Sequence, residues 1–262
     1  MTVANATFSQ GIYHEQGGNI LRLKRGTGLI ASDDELWGDC PIIEHLLDPT
    51  KGIFLNEDFQ SYDAAATTGD YTLTAATTGS AAISTTIPGA LAIDSGATTA
   101  NQGANVQRLK SAWIPAANKS IWAEFNVLLT ATTPPVTKAQ LFVGLAASDT
   151  TIIGAGAMTT NNRIGWEILN GGLLQTTFTC DKAGTEATKT GPLLVAATTV
   201  ALGFKYDGVA DTVQQYVNGV ATGTAVATAN IPKLVMYPSF VCQSDGTDEP
   251  ILNVSYRIFQ LR

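Results

Sequence analysis

Glu124 and Glu167 are the acids that sit inside central strand segments, the first between Trp122 and Phe125, the second between Trp166 and Ile168. Cleaving a glycosidic bond with retention needs an acid and a nucleophile about 5–5.5 Å apart, most simply two or three carboxylates alternating along one strand. No E-x-D-x-x-E run is present. Each acid stands alone, so both are expected on an exposed sheet face and not as a catalytic pair. His14 and His45 are the two histidines, and neither has a serine or cysteine nucleophile motif beside it. There is no P-loop, dinucleotide fingerprint or Cys/His cluster. Asp245-Gly246-Thr247-Asp248-Glu249 offers three loop carboxylates, the composition of a weak calcium candidate and equally of a polar turn around a glycine. The turn is preferred, and the expectation is no metal, no cofactor and no enzymatic activity. Trp113, Trp122 and Trp166 supply aromatic surface for a sugar, but Trp122 and Trp166 lie in alternating patterns that assign them to a core.

The elements that would position such residues are strands. Val200, Leu202, Phe204 and Tyr206 alternate with Ala201, Gly203 and Lys205, the period of a strand with one buried face. Asp207-Gly208 breaks it, Thr212 to Val217 follows, and Asn218-Gly219 tolerates the positive φ that a type I′ hairpin turn requires at both central positions. Further strands are expected over 68–78, 80–86, 106–110, 120–129, 138–146, 163–169, 175–180, 234–243 and 252–259, with Asn170-Gly171-Gly172 joining 163–169 to 175–180 as another hairpin. No convincing amphipathic helix of ten residues occurs, so an antiparallel sandwich or jelly roll follows, with helix below a tenth.

Composition agrees. A chain of 262 residues is long enough to bury roughly 70–75% of its unfolded surface without disulfide or metal. Charged residues make up 14% against 45% hydrophobic, with strand surfaces of Thr and Ala that suit contact with other protein. Three cysteines without CxxC spacing fit a reducing compartment, and neither an export signal nor a membrane-spanning run is visible. The net charge of -7 is uneven: Arg22, Lys24 and Arg25 against Glu15 leave residues 1–30 at +2, while nine acids against Lys51 leave 31–63 at -8. No nucleic-acid footprint results.

Residues 1–50 read as an N-terminal arm and 51–262 as the sandwich. In the arm, Ile20 to Lys24 alternates between Gly17-Gly18 and Gly26-Thr27-Gly28, a small β-ribbon without a core of its own. Ser32 and Glu35 form a capping-box spacing, and 33–40 or 41–48 each fit a short helical turn ending at Asp48-Pro49.

Two resemblances sharpen this. G-F-x-Y-D-G…V-x-x-Y-V-N-G-V, from Gly203 to Val220, resembles the penultimate strands of concanavalin A-like (laminin-G-like) β-sandwiches, and implies that architecture without an activity, with Ile53 to Phe59 as the first strand beside 252–259, closing a sheet. Tyr13-His14-Glu15-Gln16-Gly17-Gly18 resembles the opening of tailed-phage head decoration proteins. That resemblance implies a capsid decoration (cement) protein on the virion surface, assembled in the bacterial cytoplasm and docked on the major capsid protein, with a homo-oligomer, trimer favoured. Tyr13, Gln16, Leu21, Leu23, Trp37, Ile42 and Leu46 are the expected docking residues, in an arm expected to order on the particle. The alternative is a tail or fibre module recognising host-surface glycan.

Overall fold

The computed structural model describes residues 35–64, 69–76, 78–132, 136–169 and 173–262, and the backbone of 12–14 and 21–23. A ribbon pairs β1 (Ile12–His14) antiparallel with β2 (Leu21–Leu23). After α1 (Ile42–Leu47) and a 3-10 turn at Pro49–Lys51 come β3 (Gly52–Glu57), β4 (Thr72–Ala76), β5 (Ser80–Ile83), β6 (Leu91–Asp94), β7 (Gly103–Gln107) and β8 (Ile121–Ala131). Then follow β9 (Gln140–Ala146), β10 (Ile153–Gly154), β11 (Ala157–Met158), β12 (Asn162–Ile168), β13 (Gln175–Lys182) and β14 (Thr185–Leu193). The chain ends with β15 (Thr199–Asp207), β16 (Thr212–Val217), β17 (Val220–Ala227), a 3-10 turn at Thr228–Asn230, β18 (Tyr237–Gln243) and β19 (Pro250–Leu261).

Two antiparallel sheets stack face to face. One runs β14-β13-β12-β9-β18-β7-β4, the other β17-β16-β15-β8-β19-β6-β5. The sequence expectation of an all-β antiparallel sandwich holds, and helix among the described residues is confined to α1 and the two 3-10 turns. Alternation does the sorting: β8 sends Ile121, Ala123, Phe125, Val127 and Leu129 into the core between the sheets and Trp122 to the outer face. Trp113 and Trp166 are buried in the same central core. The expected closing pair forms, Gly52 to Glu57 lying against Leu261 to Tyr256, while β6 takes the other half of β19 from Ile251 to Val254.

The turn chemistry works as read. Asn218 and Gly219 have φ of 50° and 80°, the double positive φ of a type I′ turn between the paired Val217 and Val220. Ala183 and Gly184 make a like turn, at 54° and 84°, between β13 and β14. Several boundaries move. The strand expected at 68–78 is Thr72–Ala76, the one at 106–110 is Gly103–Gln107, and β6, β10, β11 and β14 were not anticipated. Of the two helical turns expected in the arm, the second forms as α1. The Ser32 end of the capping box and the Asn170-Gly171-Gly172 turn lie outside the described residues.

Candidate functional site

The chain crosses the outer face of the eight-stranded sheet before entering β3. Glu35 bridges to Val220 and Leu36 N donates to Gly219 O at 2.8 Å, fixing the start at the β16–β17 turn. Leu36 is buried over Gly203, where a Cβ would stand 2.5 Å from its Cδ2. Further on, Trp37 Nε1 donates to Glu124 Oε2 at 3.1 Å, and His45 meets Phe259 edge-on with ring centroids 5.4 Å apart. From β17 to β3 this strap passes five inter-strand gaps, about 24 Å at normal strand spacing. Beneath it Leu36, Cys40, Trp122, Tyr216 and Phe259 form a second core, with Trp37, Ile42 and Phe54 packed against it.

Two acid–base–tryptophan groups pin the strap. Glu124 also accepts from Arg257 Nε at 3.0 Å, and the Arg257 guanidinium lies 4.6 Å over the Trp37 ring. Trp122 Nε1 donates to Asp39 Oδ1 at 2.9 Å, while Lys205 pairs with Asp39 and sits 5.6 Å over Trp122. Each cation meets both a carboxylate and the negative face of an indole, the arrangement in which a partly exposed charge contributes most. Burial pushes the Cys40 thiol up, which keeps it un-ionised and unreactive.

The opposite outer face holds Glu167. Arg163, 1% exposed, donates from Nε to Glu167 Oε2 at 3.1 Å and pairs also with Asp181 and Glu186. Thr179 Oγ1 donates to Glu167 Oε1 at 2.9 Å. Burial holds the Glu167 carboxyl above its ordinary range, with Arg163 and Thr179 offsetting part of the rise. Nearby, the 147–160 segment with β10 and β11 covers part of the sheet. Asn105 Nδ2, Gln107 Nε2 and Gln243 Nε2 clasp its backbone oxygens at Asp149, Ala147 and Ile153, at 3.0, 3.0 and 3.1 Å.

The expectation that Glu124 and Glu167 line an exposed face is therefore corrected. Both point outward from their sheets but are buried, at 6% and 4% exposure, Glu124 beneath Trp37 of the strap and Glu167 within the cluster of Arg163, Thr179, Asp181 and Glu186. Their separation as a pair is decided by topology: they lie on the outer faces of different sheets, which stack about 10 Å apart, whereas a glycosidase pair shares one groove. His45 meets Phe259 edge-on, and the side chain of His14 lies outside the described residues.

The calcium candidate is occupied by hydrogen bonds. Asp248 Oδ2 accepts from Thr137 N, Thr137 Oγ1 and Lys138 N at 2.6, 2.8 and 2.9 Å, and Asp245 Oδ1 accepts from Thr247 N at 3.0 Å. These carboxylates brace two loops against each other. Among the described residues no group of three His, Cys, Asp or Glu is placed to hold a metal ion. An apolar void between the sheets, lined by Val127, Trp166 and Leu202 among others, measures about 10 Å³, room for a single water and no ligand.

The expected docking residues separate into three groups. Tyr13, Leu21 and Leu23 fall on the ribbon, and Gln16 lies outside the described residues. Trp37 and Ile42 pack on the protein's own sheet. Leu46 is 73% exposed, joined by Leu47 at 85% and Ile43 at 41%, which were not singled out from the sequence. Helix phase explains the division: Ile42 and His45 face the sheet, and residues 43, 46 and 47 face away.

No protein-family model matches the chain, and neither does any curated protein sequence. Solved structures do match. Over 81% of this chain and 99% of the other, peanut lectin superposes with a TM-score of 0.54 at 14% identity. A seed lectin of Lotus tetragonolobus gives 0.56 at 12% over 80% and 99%, and arcelin-5, a lectin-like defense protein of Phaseolus vulgaris, gives 0.53 at 12% over 81% and 100%. The fold is the concanavalin A-like sandwich. It is the architecture that the Gly203–Val220 resemblance implied, here extended by the strap on one outer face.

Proposed function

We propose that this chain is a structural protein of a tailed-bacteriophage virion, a decoration protein that docks on the major capsid protein and stabilises the shell. The observation that carries the reading is the contrast between spent and unspent side chains. Glu124, Glu167, Asp245 and Asp248 are committed to internal partners, whereas α1 presents Leu46 and Leu47 to solvent on a strap already locked to the sandwich. An exposed pair of leucines beside Glu44 and Asp48 fits an apolar pocket with a basic rim on the partner. The Tyr13–Gly18 resemblance supplies the identity of that partner. Cosedimentation with undecorated heads tests it: binding should weaken at least tenfold in Leu46→Asp/Leu47→Asp and fall as salt shortens the Debye length from about 10 Å to about 3 Å. Equal binding of the variant would exclude α1 as the docking element.

A second reading is favoured by the fold itself. One matching structure is lectin UEA-II complexed with galactose, at 10% identity and a TM-score of 0.55. In this reading the chain is a tail or fibre module that recognises host glycan. Saturable binding on a glycan array, absent in controls without sugar, would support it over shell docking.

A further inference from the structure

Four large aliphatic side chains stand exposed at one corner of the sandwich. Leu173, Leu193 and Val195 are 65%, 57% and 60% exposed, and Val220 is 53% exposed. Leu194 N donates to Leu174 O at 2.9 Å, which sets 173–175 beside 193–195, and Leu174 and Leu194 turn into the core while their neighbours face out. Val220 opens β17, the terminal strand of the facing sheet. Lys189 Nζ donates to Thr224 Oγ1 at 3.0 Å, so β14 and β17 run level at that point. Four residues along β14 from Lys189 is Leu193, and four residues back along β17 from Thr224 is Val220, which brings both to the same end. No charged residue occurs between Lys189 and Lys205 or from Ile168 to Cys180. Exposed aliphatic side chains gathered at one end of the sandwich, with Glu35 at the Val220 edge as their charged neighbour, mark a contact surface, and its partner must be largely apolar too.

The chain carries such a partner on a short tether. In the β1–β2 ribbon the register sets Ile12 opposite Leu23 and His14 opposite Leu21, placing three aliphatic positions together with His14 on one face and Tyr13 with Arg22 on the other. A lone two-stranded ribbon is marginal in water and gains stability when one face is covered. Residue 35 is held at Val220, in the corner itself. The eleven residues 24–34 that separate it from β2 reach at most about 40 Å, ample to lay the ribbon on the corner and short enough to hold it at an effective concentration of order millimolar.

We propose that the β1–β2 ribbon covers the Leu173, Leu193, Val195 and Val220 corner of its own chain. The apolar face of the ribbon and the apolar corner shield each other in the free protein. At micromolar protein the tether favours the ribbon of the same chain over that of a second copy. This contact is independent of the shell-docking reading, whose test is binding to particles.

Hydrogen exchange read by mass spectrometry on the full chain tests it. Peptides covering residues 12–14 and 21–23 should exchange at least tenfold faster in Leu193→Glu/Val195→Glu than in the unsubstituted protein, with β8 and β19 unchanged. Both substituted side chains are exposed, so the fold persists, and Val209→Glu, at an 82% exposed position, serves as the control that leaves the ribbon unchanged. Equal ribbon exchange with and without the corner substitutions would overturn the proposal. Protection that fades on dilution would overturn it too, because the occupant would then be the ribbon of a second copy.

Discussion

Replacing Glu124 by Leu removes the acceptor on which the strap is hung. Two hydrogen bonds go, from Trp37 Nε1 at 3.1 Å and Arg257 Nε at 3.0 Å, together with the ion pair to the Arg257 terminal nitrogen at 2.7 Å. The Trp37 N–H loses a charged acceptor in a half-buried setting, about 1–3 kcal/mol. Arg257 is 43% exposed and recovers water, so its share is discounted to about 1 kcal/mol or less. The expected total is about 1–4 kcal/mol, a fall of roughly 3–12 °C in Tm for a chain of this size. Arg257→Met should cost a comparable amount for the opposite reason, since it strands a carboxylate that is 6% exposed. The double variant should then be less destabilised than the sum of the two, by more than about 1 kcal/mol. Chemical denaturation of the three variants gives the cycle, and hydrogen exchange over 36–48 locates the loss. Strict additivity, or a single-variant cost below about 0.5 kcal/mol, would refute the claim that Glu124 is a structural anchor of the strap.

Other outcomes follow from the same geometry. Gly219→Val should cost more than about 1 kcal/mol, because a β-branched residue resists φ of 80° although the space around it is open; an unchanged melting temperature would remove the type I′ turn as its cause. For Asp248, burial raises the carboxyl pKa but the three donors of Thr137 and Lys138 outweigh it and hold the group below its ordinary value. Its stabilisation is thus full above the unfolded carboxylate range and lost as pH falls through the folded value, so Asp248→Asn should flatten the acid limb of the stability profile below about pH 4. No polysaccharide should be hydrolysed, and any turnover abolished by Glu167→Gln would contradict the structural role of that acid.

Local pattern made much of the sandwich legible. The alternation from Val200 to Tyr206 and the Asn218-Gly219 turn are decided within a few residues, whereas the pairing of the first and last sandwich strands, remote in sequence, was legible through the resemblance to concanavalin A-like sandwiches. β14 escaped because an edge strand needs no inward apolar row, and its sequence TEATKTGPL shows none. The strap escaped for a different reason. Its contacts are remote, Trp37 meeting Glu124 87 positions away, and nothing near either residue announces the other. For the same reason two acids that alternate with bulky neighbours looked solvent-facing, since alternation reports which face a residue takes and not whether that face is later covered. Leu47 was missed as an exposed side chain because IIEHLL is mostly apolar, and only the packing of Ile42 and His45 fixes the helix phase.

The central functional claim is that this sandwich is part of a virion shell. Quantitative mass spectrometry of purified particles, with the major capsid protein as internal standard, tests it most directly. A decoration protein should be present at hundreds of copies per particle, in simple ratio to the capsid protein. A handful of copies, copurifying with tails, or absence from the particle would contradict the account.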